Sequence, residues 1–211
     1  MDDHEFDTTL ATALFQLAGE RGWNAATLVD ATRAAGLDLV RTRARFPSRP
    51  ALLRQFGSLI DQAVLAAAPL NGTVRDKLFD LLMARFDQLQ PHRAGMLALA
   101  KALRTDPCLA LFLATHTLTS MAWLLEAAGA TAHGPAGALR KRGLLAVWLY
   151  ALRAWETDDS PDMTATMAAL DRALDRAAQA EAMLPTAMTG RDRDMAGPST
   201  PPGADSEPGV L

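Results

Sequence analysis

The chain has a single cysteine, Cys108, so no internal disulfide can form. Its four histidines are scattered and no Cys/His cluster has metal-ligand spacing, so neither a metal nor a cofactor is expected. Aromatic residues reach only 6%, with one tyrosine, and the β-branched, Tyr-rich stretches of a sheet protein are missing. There is no Gly-rich phosphate loop and no GxSxG, and Cys108 sits in an apolar stretch without a basic partner close by. An enzyme is therefore not expected. Positive charge is not in general excess either: the net charge is −3, so any contact with nucleic acid must come from a local patch. The opening MDDHEFD is acidic where a signal peptide would be basic, which implies a cytoplasmic protein. The stretch from Cys108 to Leu125 lacks Asp, Glu, Lys and Arg and is long enough for a membrane span. It also carries Thr115, His116, Thr117, Thr119 and Ser120, so a buried central helix is the expectation, and no membrane partner.

What the chain does have is helix-forming material. Hydrophobic residues make up 49% of 211, rich in Ala and Leu, enough for a sizeable core. Phe6, Leu10, Leu14 and Leu17 recur at helical spacing over 5–20, and Gly22 offers a stop. Thr27 with Asp30 three residues on is a capping-box pattern for a second, short helix ending at Gly36. Asp38 can cap a third helix running to Phe46, where Pro47 stops it. Ser48 is placed to cap a fourth helix, with Pro50 tolerated in its first turn. After a turn at 69–72, helices are predicted over about 73–89, 91–104, 107–128 and 138–156, with a loop over 129–137. Ser160, Pro161 and Asp162 read as the cap and first turn of a last helix, whose off-stripe charges Asp171, Arg172, Asp175 and Arg176 form a solvated face. Five of the twelve prolines fall after Leu184, so 185–211 reads as a disordered tail.

The segment from Thr27 to Phe46 has the layout of a helix-turn-helix, the smallest device that sets a helix in the major groove. Residues 20–60 contain seven arginines against Glu20, Asp30 and Asp38, a local excess of the sign that phosphates require. Arg41, on the first turn of the third helix, is the candidate for a base edge, with Arg43 and Arg49 as candidates for phosphates. Thr27, Thr42 and Arg45 complete the candidate DNA-binding set.

Gly22 to Leu53 resembles the N-terminal domain of the TetR family of bacterial transcription regulators. The resemblance rests on the aromatic after Gly22, on Thr27, on Ala35-Gly36 and on Phe46-Pro47-Ser48-Arg49 followed by Ala51-Leu52-Leu53. It implies an all-α fold with a helix-turn-helix domain over 1–47, a connecting helix over 48–68, and a helical ligand-binding and dimerisation domain over 69–184. It also implies a homodimeric repressor that binds double-stranded DNA and is released by an effector. Arg43 stands where that family usually has a phosphate-contacting tyrosine. Thr42 stands at a buried leucine position, where it is expected to weaken the packing of its helix. A second resemblance covers roughly 73–178. Gln90-Pro91-His92-Arg93, Ala128-Gly129, Arg140-Lys141-Arg142 and Asp158-Asp159-Ser160-Pro161-Asp162, with Met167, Leu170 and Asp171-Arg172, are similar to a lipid-binding accessory family of ubiquinone biosynthesis that shares the TetR fold. That resemblance implies the alternative of a carrier of quinone or isoprenoid lipid that binds no DNA. That family ends in a membrane-docking helix, where this chain has its Pro/Gly-rich tail.

In the second domain Met96, Phe112, His116, Met121, Trp123, Trp148 and Trp155 are candidates to line an apolar effector pocket, since Met and Trp make an adaptable lining. Leu145, Leu149 and Leu152, with Met163, Met167, Leu170 and Leu174, form apolar stripes on the last two helices. Paired about a two-fold axis these would make a four-helix interface.

Overall fold

The computed structural model describes residues 1–67 and 71–183, and every regular element among them is helical. The elements are α1 (Asp3–Arg21), a 3-10 turn (Trp23–Ala25), α2 (Leu28–Ala34), α3 (Leu39–Arg45), α4 (Arg49–Ala67), α5 (Val74–Leu89), a second 3-10 turn (Gln90–His92), α6 (Arg93–Leu103), α7 (Pro107–Ala128), α8 (Gly134–Thr157) and α9 (Thr164–Ala182). Part of the expected turn at 69–72 and the expected tail lie outside the described residues.

Local chemistry sets most of the ends. Asp2 caps α1 by accepting from the Glu5 N–H at 2.8 Å. Thr27 caps α2 by accepting from Asp30 N–H at 3.0 Å, and its hydroxyl donates to the Asp30 carboxylate at 2.7 Å. A full capping box forms instead at Thr73 and Asp76, which open α5. Gly36 turns the chain at φ +64°, a conformation that costs other residues steric strain. Asp38 then caps α3 through Val40 and Arg41 N–H.

Three expectations shift. Ser48 opens α4 with its carbonyl, which accepts from Ala51 and Leu52, and not with its hydroxyl. The loop before α8 is shorter than its Gly and Pro content implied, because Pro135 fits the first turn of a helix that begins at Gly134. The last helix begins at Thr164, not after Ser160. The buried Asp158 reaches across, accepting from the Thr166 N–H and hydroxyl, both at 2.7 Å, and from the Ser160 N–H and hydroxyl. Ser160 to Asp162 is the turn this carboxylate organises.

The hydrogen bonds from Ser160, then those from Thr166, hold the Asp158 carboxyl well below the usual carboxylate range. A depressed folded-state pKa contributes stability that is present above the unfolded value, near 3.9, and is lost as pH falls through the folded one. Asp158→Ala is expected to lower stability by about 1–2 kcal/mol at pH 7. Urea titrations should show the gap from wild type narrowing below pH ~4.

One apolar core runs from Phe6, Leu10 and Leu14 on α1 through Leu81, Leu82 and Phe86 on α5 to Trp155 and Leu170 on the last helices. The closest helix partnerships are α8 with α9, α1 with α6, and α4 with α7. Asp171 and Asp175 are exposed, yet they clamp Arg75 of α5, with Asp175 accepting at 2.8 Å. α7 is long and apolar enough to cross a membrane. It is not the buried central helix expected: Ser120, Met121, Leu124, Leu125 and Ala128 are buried in its C-terminal half, whereas Leu111, Thr115 and Trp123 face outward.

Candidate functional site

The first candidate site is the outer face of α3. Helical spacing puts Leu39, Val40, Arg43 and Ala44 on that face, and all four are exposed, Val40 at 76%. Arg43 has no partner among the described residues and projects freely, as does Arg33 on α2. The exposure of Val40 carries no signal in the sequence, where an apolar residue on a short helix is indistinguishable from core. An exposed apolar tip on a groove-sized helix is suited to contact with a thymine methyl.

The other three arginines of the candidate set are occupied. Arg41 Nη2 donates to Asp3 at 2.6 Å and its guanidinium lies 4.3 Å from the Phe6 ring centroid. Its nitrogens also donate to the Met1 and Asp2 carbonyls, each at 3.3 Å. Arg45 donates through Nε and Nη2 to the wholly buried Asp7 and through Nη1 to Asp3 at 2.8 Å. Hydrogen bonding from Arg41 keeps the Asp3 carboxyl below its ordinary value, and bonding to Asp7 raises Arg45. Arg49 bridges the carbonyls of Trp23 (2.6 Å) and Ala26 (2.9 Å) under the Trp23 ring, which fixes the first domain's turn. Arg41 and Arg49, expected at a base edge and at a phosphate, are thus both engaged within the protein itself. The acidic start of the chain cancels much of the local positive excess.

Thr42 is 4% exposed, so its side chain is not displayed to a groove. Nor does it loosen α3. The Thr32 and Thr42 hydroxyls lie 3.1 Å apart, and each donates to a carbonyl of its own helix, Thr32 to Leu28 at 2.6 Å and Thr42 to Asp38 at 3.0 Å. A satisfied polar pair replaces the apolar contact expected there. Thr27, the α2 cap, is exposed.

The second candidate site is a half-open cavity of about 1000 Å³ lined mainly by α4, α5, α6, α7 and α8. Of the residues expected to line it, Met96, His116, Trp123, Trp148 and Trp155 do so. Met121 is buried in the core, and Phe112 lines a smaller recess beside Trp23 and Arg49. His116 meets Phe112 edge-on at 4.4 Å, and burial lowers its pKa, with a smaller contribution from Arg54. Trp123, 60% exposed, stands at the rim.

The stripes expected to face a second subunit divide three ways. Leu145, Leu149 and Leu152 turn toward the cavity. Met163, Leu170 and Leu174 are buried inside the protomer, where α9 packs on α8, and so are not offered to a partner. Met167 remains exposed at 41%, as do Leu139, Leu149 and Tyr150 on α8.

The polar pole of the cavity was not expected. Arg85, Asp61 and Ser120 come from three helices. Arg85 Nη1 and the Ser120 hydroxyl donate to the two oxygens of Asp61, and Arg85 lies 5.2 Å from the Trp148 ring centroid. Nothing in a one-dimensional pattern pairs residues 61, 85 and 120.

The two sites are joined through α1 and α6. At Gly95 a side-chain carbon would lie 2.2 Å from the Phe15 carbonyl oxygen, so the two backbones touch. The next residue, Met96, faces the cavity, as does Leu99 a turn on. His92, its pKa lowered by burial, wedges between Phe15 and Phe56 at centroid distances of 5.6 and 5.1 Å. The residues of the Gln90–Arg93 corner meet the end of α8. Trp155 Nε1 donates to Gln90 at 2.8 Å, and Arg93 donates to the Trp155 carbonyl at 2.7 Å.

No family model and no curated protein matches the chain. Solved structures do. A TetR transcriptional regulator from Nitrosomonas europaea ATCC 19718 superposes with a TM-score of 0.66 at 21% identity, over 84% of this chain and 99% of that one. A transcriptional regulator from Rhodococcus sp. Rha1 aligns at a TM-score of 0.49 and 21% identity, over 82% of this chain and 96% of that one. The first of these likenesses shows that the chain has the all-α TetR fold.

Proposed function

We propose that the protein is a homodimeric DNA-binding transcription regulator without catalytic activity, a repressor released by an apolar effector. The observation that carries the reading is the pairing of an outward helix face with a large apolar cavity across an unyielding contact at Gly95. Val40 and Arg43 on α3, with Arg33 on α2, are free to meet DNA, whereas the exposed Thr27 hydroxyl is already shared with Asp30. Leu139, Tyr150 and Met167 are exposed apolar groups outside the cavity lining, available to a second subunit. An effector between α6 and α8 presses on Met96 and Leu99, and α6 has no room to move without carrying α1. Such coupling works only if the effector favours one spacing of the two DNA-reading heads over the other.

The test is duplex binding by fluorescence anisotropy, using DNA from upstream of the protein's own gene, over a range of salt concentrations. Affinity should fall steeply with salt. Arg43→Ala should weaken it ~10-fold and reduce the log–log slope by about one. Undetectable binding at low salt would remove the regulator reading.

The alternative is a lipid carrier or accessory protein that binds no DNA. It is favoured by the capture of Arg41 and Arg45 by Asp3 and Asp7. It predicts negligible DNA binding together with isoprenoid or quinone in solvent extracts of the purified protein.

A further inference from the structure

The polar pole of the cavity has an uneven supply of donors and acceptors. Both oxygens of Asp61 already accept, one from Arg85 and one from Ser120. Arg85 is 7% exposed and lines the cavity, yet it uses only Nη1. Its Nε is buried without an acceptor. Nη2 likewise has no partner among the described residues and is not closed over by protein. Nε is closed off from any ligand, but Nη2 is a charged donor open to an otherwise apolar cavity, so a ligand oxygen placed on it gains a hydrogen bond strengthened by the low-polarity surroundings. Around this pole the wall is aliphatic and aromatic, including Leu89, Leu99, Leu113 and Trp148. The volume sits at the upper end of the range for small-molecule sites, which leaves room for a long apolar body.

Charge narrows the choice. Arg85 and Asp61 together are formally neutral, and a carboxylate docked on Arg85 would set a second negative charge beside Asp61 in a site of low polarity. An uncharged acceptor meets no such repulsion.

We propose that the cavity selects a long apolar molecule bearing one uncharged carbonyl oxygen, an ester or ketone, which accepts from Arg85 Nη2. The inference rests on the cavity reading above for its location. Arg85 reads the head group, Asp61 sets which charge that head can carry, and Trp148 forms the floor beneath the guanidinium.

The test uses the full chain after delipidation, with binding read by tryptophan fluorescence and by thermal shift. Three matched probes are titrated: methyl laurate, laurate and dodecane. Methyl laurate should bind at least tenfold more tightly than either of the others. Arg85→Met should bring methyl laurate down to the level of dodecane. Because that variant takes the cation from Asp61 and puts the fold at risk, Asp61→Asn supplies an independent reading. It leaves the cation without a counter-charge, so laurate should overtake methyl laurate. Equal binding of all three probes, or laurate preferred in the wild type, overturns the proposal while leaving the cavity reading intact. Failure of all three to bind overturns both. Neither result depends on whether DNA is bound.

Discussion

Gly95→Ala is expected to destabilise the protein by about 3 kcal/mol or more, among the largest effects of any single methyl group added to this chain. The new carbon would come within 2.2 Å of the Phe15 carbonyl oxygen and 2.7 Å of its carbonyl carbon and Cα. These are backbone atoms in the middle of α1, so no rotamer change relieves the clash and the two helices must separate. Separation opens the layer between Phe15, Phe56 and His92, whose rings now pack within 4.7–5.6 Å of one another. Urea titration should show a lower midpoint with little change in slope. Gly143→Ala on α8 is the control, because nothing lies within 4 Å of the added carbon there. Removing that glycine's helix penalty should raise stability by roughly 0.5–1 kcal/mol. Equal behaviour of the two variants would show that the α1–α6 crossing has slack, and the coupling proposed between cavity and DNA face would lose its physical basis.

Joint replacement of Asp3 and Asp7 by Asn is expected to strengthen duplex binding at least tenfold at low salt. Arg41 and Arg45 then lose the carboxylates that hold them against α1 and become available to phosphates. Each released cation that reaches a phosphate should steepen the log–log salt dependence by about one. Asn keeps the side-chain volume but offers one acceptor oxygen where Asp7 offers two, so the Arg45 fork is broken while the packing is retained. Since Arg41 keeps the Asp3 carboxyl below its ordinary value, mild acidification does not imitate the substitution; the grip persists down to pH values near the unperturbed 3.9 and below. Unchanged affinity and slope would mean that α3 does not present its basic side to DNA at all, and the carrier reading would take over.

The helices and their order were legible in the sequence because each rests on local signals: Phe6, Leu10 and Leu14 at helical spacing, Asp38 as a cap, Gly36 at the turn, Pro47 as a stop. The helix-turn-helix was legible for the same reason. The capture of Arg41 was not legible, because its partner Asp3 lies 38 residues earlier and no local rule links the two. Likewise, the apolar stripe of α8 could be read from its periodicity, but not that Leu145, Leu149 and Leu152 would border a cavity. A stripe shows which side of a helix avoids water; it does not say what fills the space opposite. The Asp61–Arg85–Ser120 cluster lies beyond such reading altogether, since each member alone resembles an ordinary polar residue on an amphipathic helix.

The paired hydroxyls of Thr32 and Thr42 constrain how this protein can change over generations. Replacing either one by an aliphatic residue sets a methyl group against the remaining hydroxyl, which keeps only the carbonyl of its own helix (Leu28 for Thr32, Asp38 for Thr42), whereas replacing both together restores an apolar seam of similar shape. Single mutational steps away from the pair therefore lead downhill, and the double step leads across. A lineage that acquired these two threonines is held to them by that valley, and the angle at which α3 leans on α2 is inherited as a unit.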